Sequence, residues 1–173
     1  MLDNCPVSVA EHKAHAPTRV SCFVLTISDT RTLDTETSGR AIADLLTEHG
    51  HAVVDRAIVR DEPADVARLV REQAARDDVE AIITTGGTGL SRRDATYEAL
   101  VTLFDKRLDG FGELFRALSF DAIGPAAMLS RACAGVVNGR VLFALPGSEH
   151  AVRLAMTRLI LPELGHIRRE LTK

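Results

Sequence analysis

Between residues 20 and 85 the chain alternates between short β-branched apolar runs and amphipathic helical segments. The last apolar run passes straight into Thr84-Thr85-Gly86-Gly87-Thr88-Gly89. This order leaves few folds open, because strand–helix–strand–helix–strand gives a layered α/β sandwich with a largely parallel sheet. Residues 20–27 read as a buried strand that stops at Ser28-Asp29-Thr30. A helix over 36–49 places Ala41, Ile42, Leu45 and Leu46 on one face, and Gly50 ends it. Residues 52–59 form the second strand, which closes at Arg60-Asp61. Pro63 opens a helix with Val66, Leu69 and Val70 inward, and 81–85 is the third strand.

Downstream, 97–104 and 112–120 read as helices. The apolar runs 132–137 and 141–145 are separated by Asn138-Gly139, a hairpin signal, so one strand of the sheet is expected to be antiparallel. Ser148 can cap a final helix reaching about Leu171, with Leu154, Leu161, Leu164 and Ile167 in its apolar stripe; Pro162 should kink or divide it. At 173 residues the chain has the length of one domain with one sizeable core, assigned to residues 19–173. Residues 1–18 read as a flexible tail. They carry Asp3, Glu11, His12, Lys13 and His15 and lack the apolar stretch of a secretory signal. His12 and His15 could grip a metal, although a tail pair of this kind is ordinarily just solvated. No run approaches the ~20 apolar residues of a membrane span. Cys5, Cys22 and Cys133 are odd in number and far apart, which suggests neither a disulfide framework nor a cysteine zinc site and fits a reduced, cytoplasmic setting.

In sheets of this kind ligands sit outside the carboxyl ends of the strands. Four strands end in polar sequence, at Ser28-Asp29, Arg60-Asp61, 84–89 and Pro146-Gly147-Ser148, so parallel strands would bring all four loops to one edge. The formal charge of -3 argues against a nucleic-acid binder, and the lack of Trp argues against an aromatic stacking platform. In the glycine loop, successive N–H groups and threonine hydroxyls can form an anion nest; a tight turn is the plainer reading. The loop is neither a Walker A sequence nor G-x-G-x-x-G. Arg92 and Arg93 could hold phosphate oxygens or be solvated. Asp94 and Asp61 could ligate Mg²⁺ beside a substrate phosphate, or simply cap helices. Ser130-Arg131 enters a strand, and Pro146-Gly147-Ser148 precedes a helix N-terminus that either binds an anion or is merely capped. Glu113 and Arg116 read as a solvated ion pair. His49, His51, His150 and His166 show no ligand spacing. Phe104, Phe111, Phe115 and Phe120 crowd one region, more than one edge could bury, so some are expected between subunits, with a local satellite core as the alternative.

Thr84-Thr85-Gly86-Gly87-Thr88-Gly89 with Arg92-Arg93-Asp94-Ala95-Thr96 resembles the MogA/MoaB family of molybdenum-cofactor biosynthesis proteins. So do Gly110-Phe111-Gly112-Glu113, Ser130-Arg131 and Leu145-Pro146-Gly147-Ser148. Leu161-Pro162-Glu163-Leu164-Gly165-His166 is similar to the ending of the MoaB branch, and the likeness spans residues 19–171. The resemblance implies a three-layer α/β/α sandwich, assembled as a trimer or a pair of trimers. It also implies adenylylation of molybdopterin by ATP with Mg²⁺, releasing pyrophosphate, with a downstream molybdate-inserting transferase as a further partner. Asp61 and Asp94 fall on the acidic positions tied to metal and catalysis. Thr85, Gly86, Gly87, Thr88 and Gly89, with Pro146, Gly147 and Ser148, would hold the nucleotide and its phosphates. Ser28, Asp29, Ser130 and Arg131 would line the molybdopterin region. Ser148 departs from members with Asn or Gln there. The alternative is a non-enzymatic binding or assembly subunit of the same family. A third reading, the related domain of competence-damage proteins, is disfavoured by Thr88 and Arg93-Asp94. Two expectations follow: Asp61 and Asp94 lie at the ends of adjacent strands, and a side chain at Gly87 would block the anion's approach without harming the fold.

Overall fold

The computed structural model describes residues 15–91 and 94–173. The strands are β1 (Ser21–Ile27), β2 (Ala52–Val59), β3 (Ala81–Thr85), β4 (Lys106–Arg107), β5 (Cys133–Val137) and β6 (Arg140–Leu145). They form one six-stranded sheet in the order β2-β1-β3-β6-β5-β4. β2, β1, β3 and β6 run parallel, while β5 runs against both β6 and β4. The antiparallel strand is therefore the one that the Asn138-Gly139 pair announces. Both turn residues take positive φ, 48° and 72°, as a two-residue hairpin whose twist matches its strands requires.

Helices cover both faces. On one, α1 (Ser38–Glu48) presents Ala41, Ile42, Leu45 and Leu46 to Val24, Ile83 and Phe143 of the sheet. Beside it lie α4 (Asp109–Ile123), α5 (Glu149–Ala155) and α6 (Leu161–Leu171). On the other face, α2 (Pro63–Ala74) and α3 (Thr96–Val101) bury Val66, Val70 and Leu100 against Phe23, Leu25, Ile82 and Leu142. This is the three-layer α/β/α sandwich with a mostly parallel sheet. Among the described residues no helix is long and apolar enough to cross a membrane.

Some elements differ from the sequence reading. The first helix begins at Ser38, because Glu36 is turned inward. Its carboxylate accepts the Gly39 N–H at 2.7 Å and the Thr26 hydroxyl at 3.2 Å and pairs with Arg56. In the last helix a π-turn over Met156–Ile160 precedes Pro162, accommodating a residue that cannot donate a helical hydrogen bond. The widened turn shifts the helical phase, so Met156, Ile160 and Leu164 are fully buried, whereas Leu154, Leu161 and Ile167 are only partly so. The four phenylalanines do not act together. Phe115 is buried, and Phe111 stacks on it and meets Phe143 edge-on with ring centroids 5.1 Å apart; Phe104 packs in the opposite layer. Phe120 stands out, 58% exposed, near exposed Ile123, Met128 and Leu129. The Glu113–Arg116 ion pair does not form among the described residues; the Arg116 guanidinium lies over Gly112, where a Cβ would come within 3.1 Å of it.

Residues 1–14 of the expected tail, with His12 and Cys5, lie outside the described residues, as do Arg92 and Arg93. Residues 16–18 do not trail away: Pro17 passes over Gly165 so closely that a side chain there would strike its carbonyl. Cys22 and Cys133 are buried free thiols, pushed up by that burial to about 12 and about 11.

Candidate functional site

The carboxyl ends of β2, β1, β3 and β6 stand side by side, and hydrogen bonds join their loops. The Ser28 N–H donates to the Val59 carbonyl at 2.9 Å and the Gly86 N–H to that of Leu145 at 3.0 Å. The Thr85 hydroxyl donates to the Pro146 carbonyl at 2.9 Å, and the Ser38 hydroxyl to that of Gly147 at 2.7 Å. Asp29 accepts the Asp61 N–H at 3.2 Å. The chain turns here because Gly86 and Gly87 adopt φ of 99° and 67°, and a Cβ on Gly86 would collide with the Ile27 carbonyl.

Two cavities flank the contact between Gly86 and Gly147. A polar one of about 170 Å³ lies between the β1 and β3 ends and the start of α1, lined by Thr26, Ser28, Arg31, Glu36 and Ser38. A larger one of about 370 Å³ is bounded by residues 86–89, by Ser130, Arg131 and residues 146–148, and by an apolar wall of Phe115, Ile123 and Leu129. Ser28 belongs to the first cavity, and Ser130 and Arg131 to the second, so the structure does not gather the expected molybdopterin residues around one hollow. The Ser28 hydroxyl accepts the N–H groups of Thr30 and Arg31, at 3.3 and 3.2 Å, which shapes its own loop. Ser148 caps α5, its hydroxyl accepting the Ala151 N–H at 3.3 Å.

Among the described residues neither Asp61 nor Asp94 caps the helix that follows it. The residues at the cap positions of α2 and α3 are Glu62 and Ala95. Nor do the two aspartates follow adjacent strands, because β1 intervenes between β2 and β3. The loops close the gap instead. Asp61 accepts the Thr96 hydroxyl at 2.5 Å, and its Oδ1 lies 3.1 Å from where a Gly87 Cβ would be. Asp94 accepts the Ser91 N–H at 2.8 Å, with its carboxylate against Gly89. Both carboxylates thus meet the glycine loop, two residues apart. A side chain at Gly87 would meet Thr96 carbons at 2.8 and 2.9 Å. It would thus be forced into the packing beneath the loop, and the expectation of an undamaged fold does not hold. Among the described residues no group of three or more His, Cys, Asp or Glu could hold a metal ion.

The sequence reading missed two features. One is Glu36, whose only signal was a carboxylate three residues before Gly39 at an expected helix start. The other is what Arg131 does. Its Nε donates to the Thr88 carbonyl at 3.0 Å, and its Nη2 to the carbonyls of Gly89 and Asp94 at 2.6 and 3.1 Å. Its Nη1 pairs with Glu98 at 2.5 Å, and its guanidinium carbon lies 4.5 Å from the centroid of the Tyr97 ring. That pairing holds the Glu98 carboxyl below its ordinary range.

Residues 23–166 match the family described as "Probable molybdopterin binding domain". The chain is 52% identical over 168 residues to molybdenum cofactor biosynthesis protein B of Halalkalibacterium halodurans, covering 96% of this chain and 99% of that one. A crystal structure of a molybdenum cofactor biosynthesis protein B superposes with a TM-score of 0.88 at 49% identity, covering 91% and 98% of the two chains. The tungsten cofactor synthesizing protein MoaB from Pyrococcus furiosus gives 0.81 at 37% identity, covering 91% and 100%. Sequence likeness over nearly the full length and the shared sheet lead to one conclusion: the chain belongs to the MogA/MoaB family of molybdenum-cofactor biosynthesis proteins.

Proposed function

We propose that the chain transfers the adenylyl group of ATP to the terminal phosphate of molybdopterin. In this reaction a phosphate oxygen of molybdopterin forms a bond to the α-phosphorus, the α–β phosphoanhydride bond breaks, and pyrophosphate leaves. One observation carries the reading. Among the described residues the consecutive N–H groups of Gly87, Thr88 and Gly89 donate to no protein acceptor, they border the larger cavity, and two carboxylates lie against the same loop. The attacking phosphate is already anionic at neutral pH, so the chain needs no strong base. Its work is to position two phosphorylated groups and compensate their charge. The loop N–H groups orient the anion. The apolar wall of Phe115, Ile123 and Leu129 suits a flat heterocycle, and the polar cavity with Arg31 and Ser38 suits a more hydrophilic group.

The donor set fits Mg²⁺, which is held by one or two carboxylates together with substrate phosphates rather than by a cage of protein ligands. Asp61 and Asp94 would hold it, and it would supply charge neutralisation across the phosphates. Self-association into a trimer or a pair of trimers would cover Phe120 and Met128, which line neither cavity. A downstream molybdate-inserting transferase would consume the product. The test is pyrophosphate release from Mg-ATP with purified molybdopterin. Release that depends on molybdopterin is expected; release no faster than without it would sink the adenylyltransferase reading and leave a binding or assembly subunit. Light scattering on a sizing column tests the assembly, and a stable monomer at micromolar protein would refute it.

A further inference from the structure

We infer that Arg131 is a positioning residue that latches the glycine loop to α3, rather than a side chain devoted to molybdopterin. Its guanidinium is occupied by protein: it reaches three backbone carbonyls, those of Thr88, Gly89 and Asp94, and the Glu98 carboxylate. The Tyr97 ring covers one face. Two of the three carbonyls, those of Thr88 and Gly89, belong to the glycine loop that borders the larger cavity, and the third, that of Asp94, lies just beyond it. A peptide plane pinned at its carbonyl is also pinned at the following N–H, because the peptide is rigid. Holding the Thr88 carbonyl therefore fixes where the Gly89 N–H points. Arginine suits this task where lysine does not, since its planar fork can serve several acceptors in fixed directions. The latch also joins distant pieces of chain: Arg131 lies at the entry to β5, and the loop follows β3. That β5 runs antiparallel brings its first residues to the edge where β3 and β6 end.

Glu98 and Tyr97 line neither cavity that the glycine loop borders. Their contacts run to Arg131, and because Glu98 also acts electrostatically on Asp94, the charge-neutral change Tyr97→Leu is the one that separates positioning from ligand contact. The inference rests on the adenylyltransferase reading only for its kinetic arm. Three variants of the full chain are compared: Arg131→Lys, Glu98→Gln and Tyr97→Leu. Without substrates, amide hydrogen exchange at Gly86 and Ser91, whose N–H groups are bonded at the two ends of the loop, should speed up about tenfold or more in Arg131→Lys, as expected for losing charge-assisted bonds, and by less in the other two. In pyrophosphate-release assays the KM for ATP should rise about tenfold to a hundredfold in Arg131→Lys, with a smaller rise in both partner variants and the KM for molybdopterin parental. The inference is overturned if loop exchange is parental in all three variants. It is equally overturned if only Arg131→Lys is affected and its defect is in molybdopterin binding. If the parental protein releases no pyrophosphate, the catalytic reading fails, while the exchange comparison still decides on the latch. If Arg131→Lys does not fold, Glu98→Gln and Tyr97→Leu decide by the same readouts.

Discussion

Gly87→Ala should destabilise the protein well beyond what its backbone conformation alone demands, and Gly50→Ala provides the comparison. Both glycines sit in the left-handed region, at φ of 67° and 81°. An L-residue in that region costs about 1–2 kcal/mol, and Gly50→Ala should cost no more, since nothing lies within 4 Å of its added Cβ. At Gly87 the Cβ would lie 2.8 Å from the Cβ of Thr96, 2.9 Å from its Cγ2 and 3.1 Å from the Asp61 carboxylate. Thr96 cannot simply swing aside, because it is fully buried and its hydroxyl is bonded to Asp61 at 2.5 Å. Crowding of this kind costs about 1–3 kcal/mol, so Gly87→Ala should lose roughly 2–5 kcal/mol in all. In urea titrations with unchanged slope, its midpoint should fall about 0.5–1.5 M further than that of Gly50→Ala. Equal midpoints would show that the layer beneath the loop is soft and that the packing argument for the site is wrong.

Asp61→Asn should fold with a near-parental melting temperature, since an amide oxygen can still accept the Thr96 hydroxyl, yet lose adenylyl transfer by about a hundredfold or more, and Asp94→Asn should behave alike. Near-parental turnover in both variants would remove them from the metal site. Ser148→Ala should cost about 0.5–2 kcal/mol in thermal or urea unfolding by stripping the cap from α5; an unchanged stability would mean water replaces it fully. Burial and neighbouring His49 push the His51 imidazole below 6.5, and its neutral Nδ1 accepts the Val20 N–H at 3.2 Å. The unfolded chain binds that proton more readily, so this contribution is intact above the unfolded value of roughly 6.5 and is lost as pH falls through the lower folded one. Melts across about pH 5 to 8 should show a slope that His51→Asn flattens; an identical slope in the variant would exclude His51 as its source.

The sheet was legible where local chemistry dictates local geometry. β3 spans Ala81–Thr85 because a β-branched run meets two glycines that must take positive φ, and the hairpin follows from Asn138-Gly139. The order of the strands was not legible, since hydrophobic periodicity says which residues are buried and nothing about which strand lies beside which. This is why Asp61 and Asp94 were expected on adjacent strands. β4, two exposed residues long, is too short to show any alternation. Glu36 escaped for a different reason. A carboxylate at the start of a helical pattern ordinarily faces solvent and complements the helix dipole, and its burial is tolerable here because Arg56 approaches from β2 while the Gly39 N–H and the Thr26 hydroxyl donate to it. The role of Arg131 was hidden likewise, because its partners are carbonyls, which carry no sequence signature.

The location of the site follows from the strand order once that is known. From the end of β1 the chain leaves through α1 on one face and returns in β2, on one side of β1. From β2 it crosses the opposite face in α2 and returns in β3, on β1's other side. β1 thus exits toward α1 and β3 toward α3, on opposite faces of the sheet, and the carboxyl edge is left open between them, as at the switch points of other α/β sheets. The polar cavity lies at that opening, between residues 26–28 and 85–86. The larger cavity arises one strand further along, where β5 turns antiparallel and its entry, with Ser130 and Arg131, comes up against the glycine loop. In an all-parallel sheet the entry of β5 would lie at the opposite edge, and Arg131 would not reach the Thr88 carbonyl. The hairpin at Asn138-Gly139, at the far end of the sheet from the glycine loop, is thus what sets the loop and Arg131 face to face.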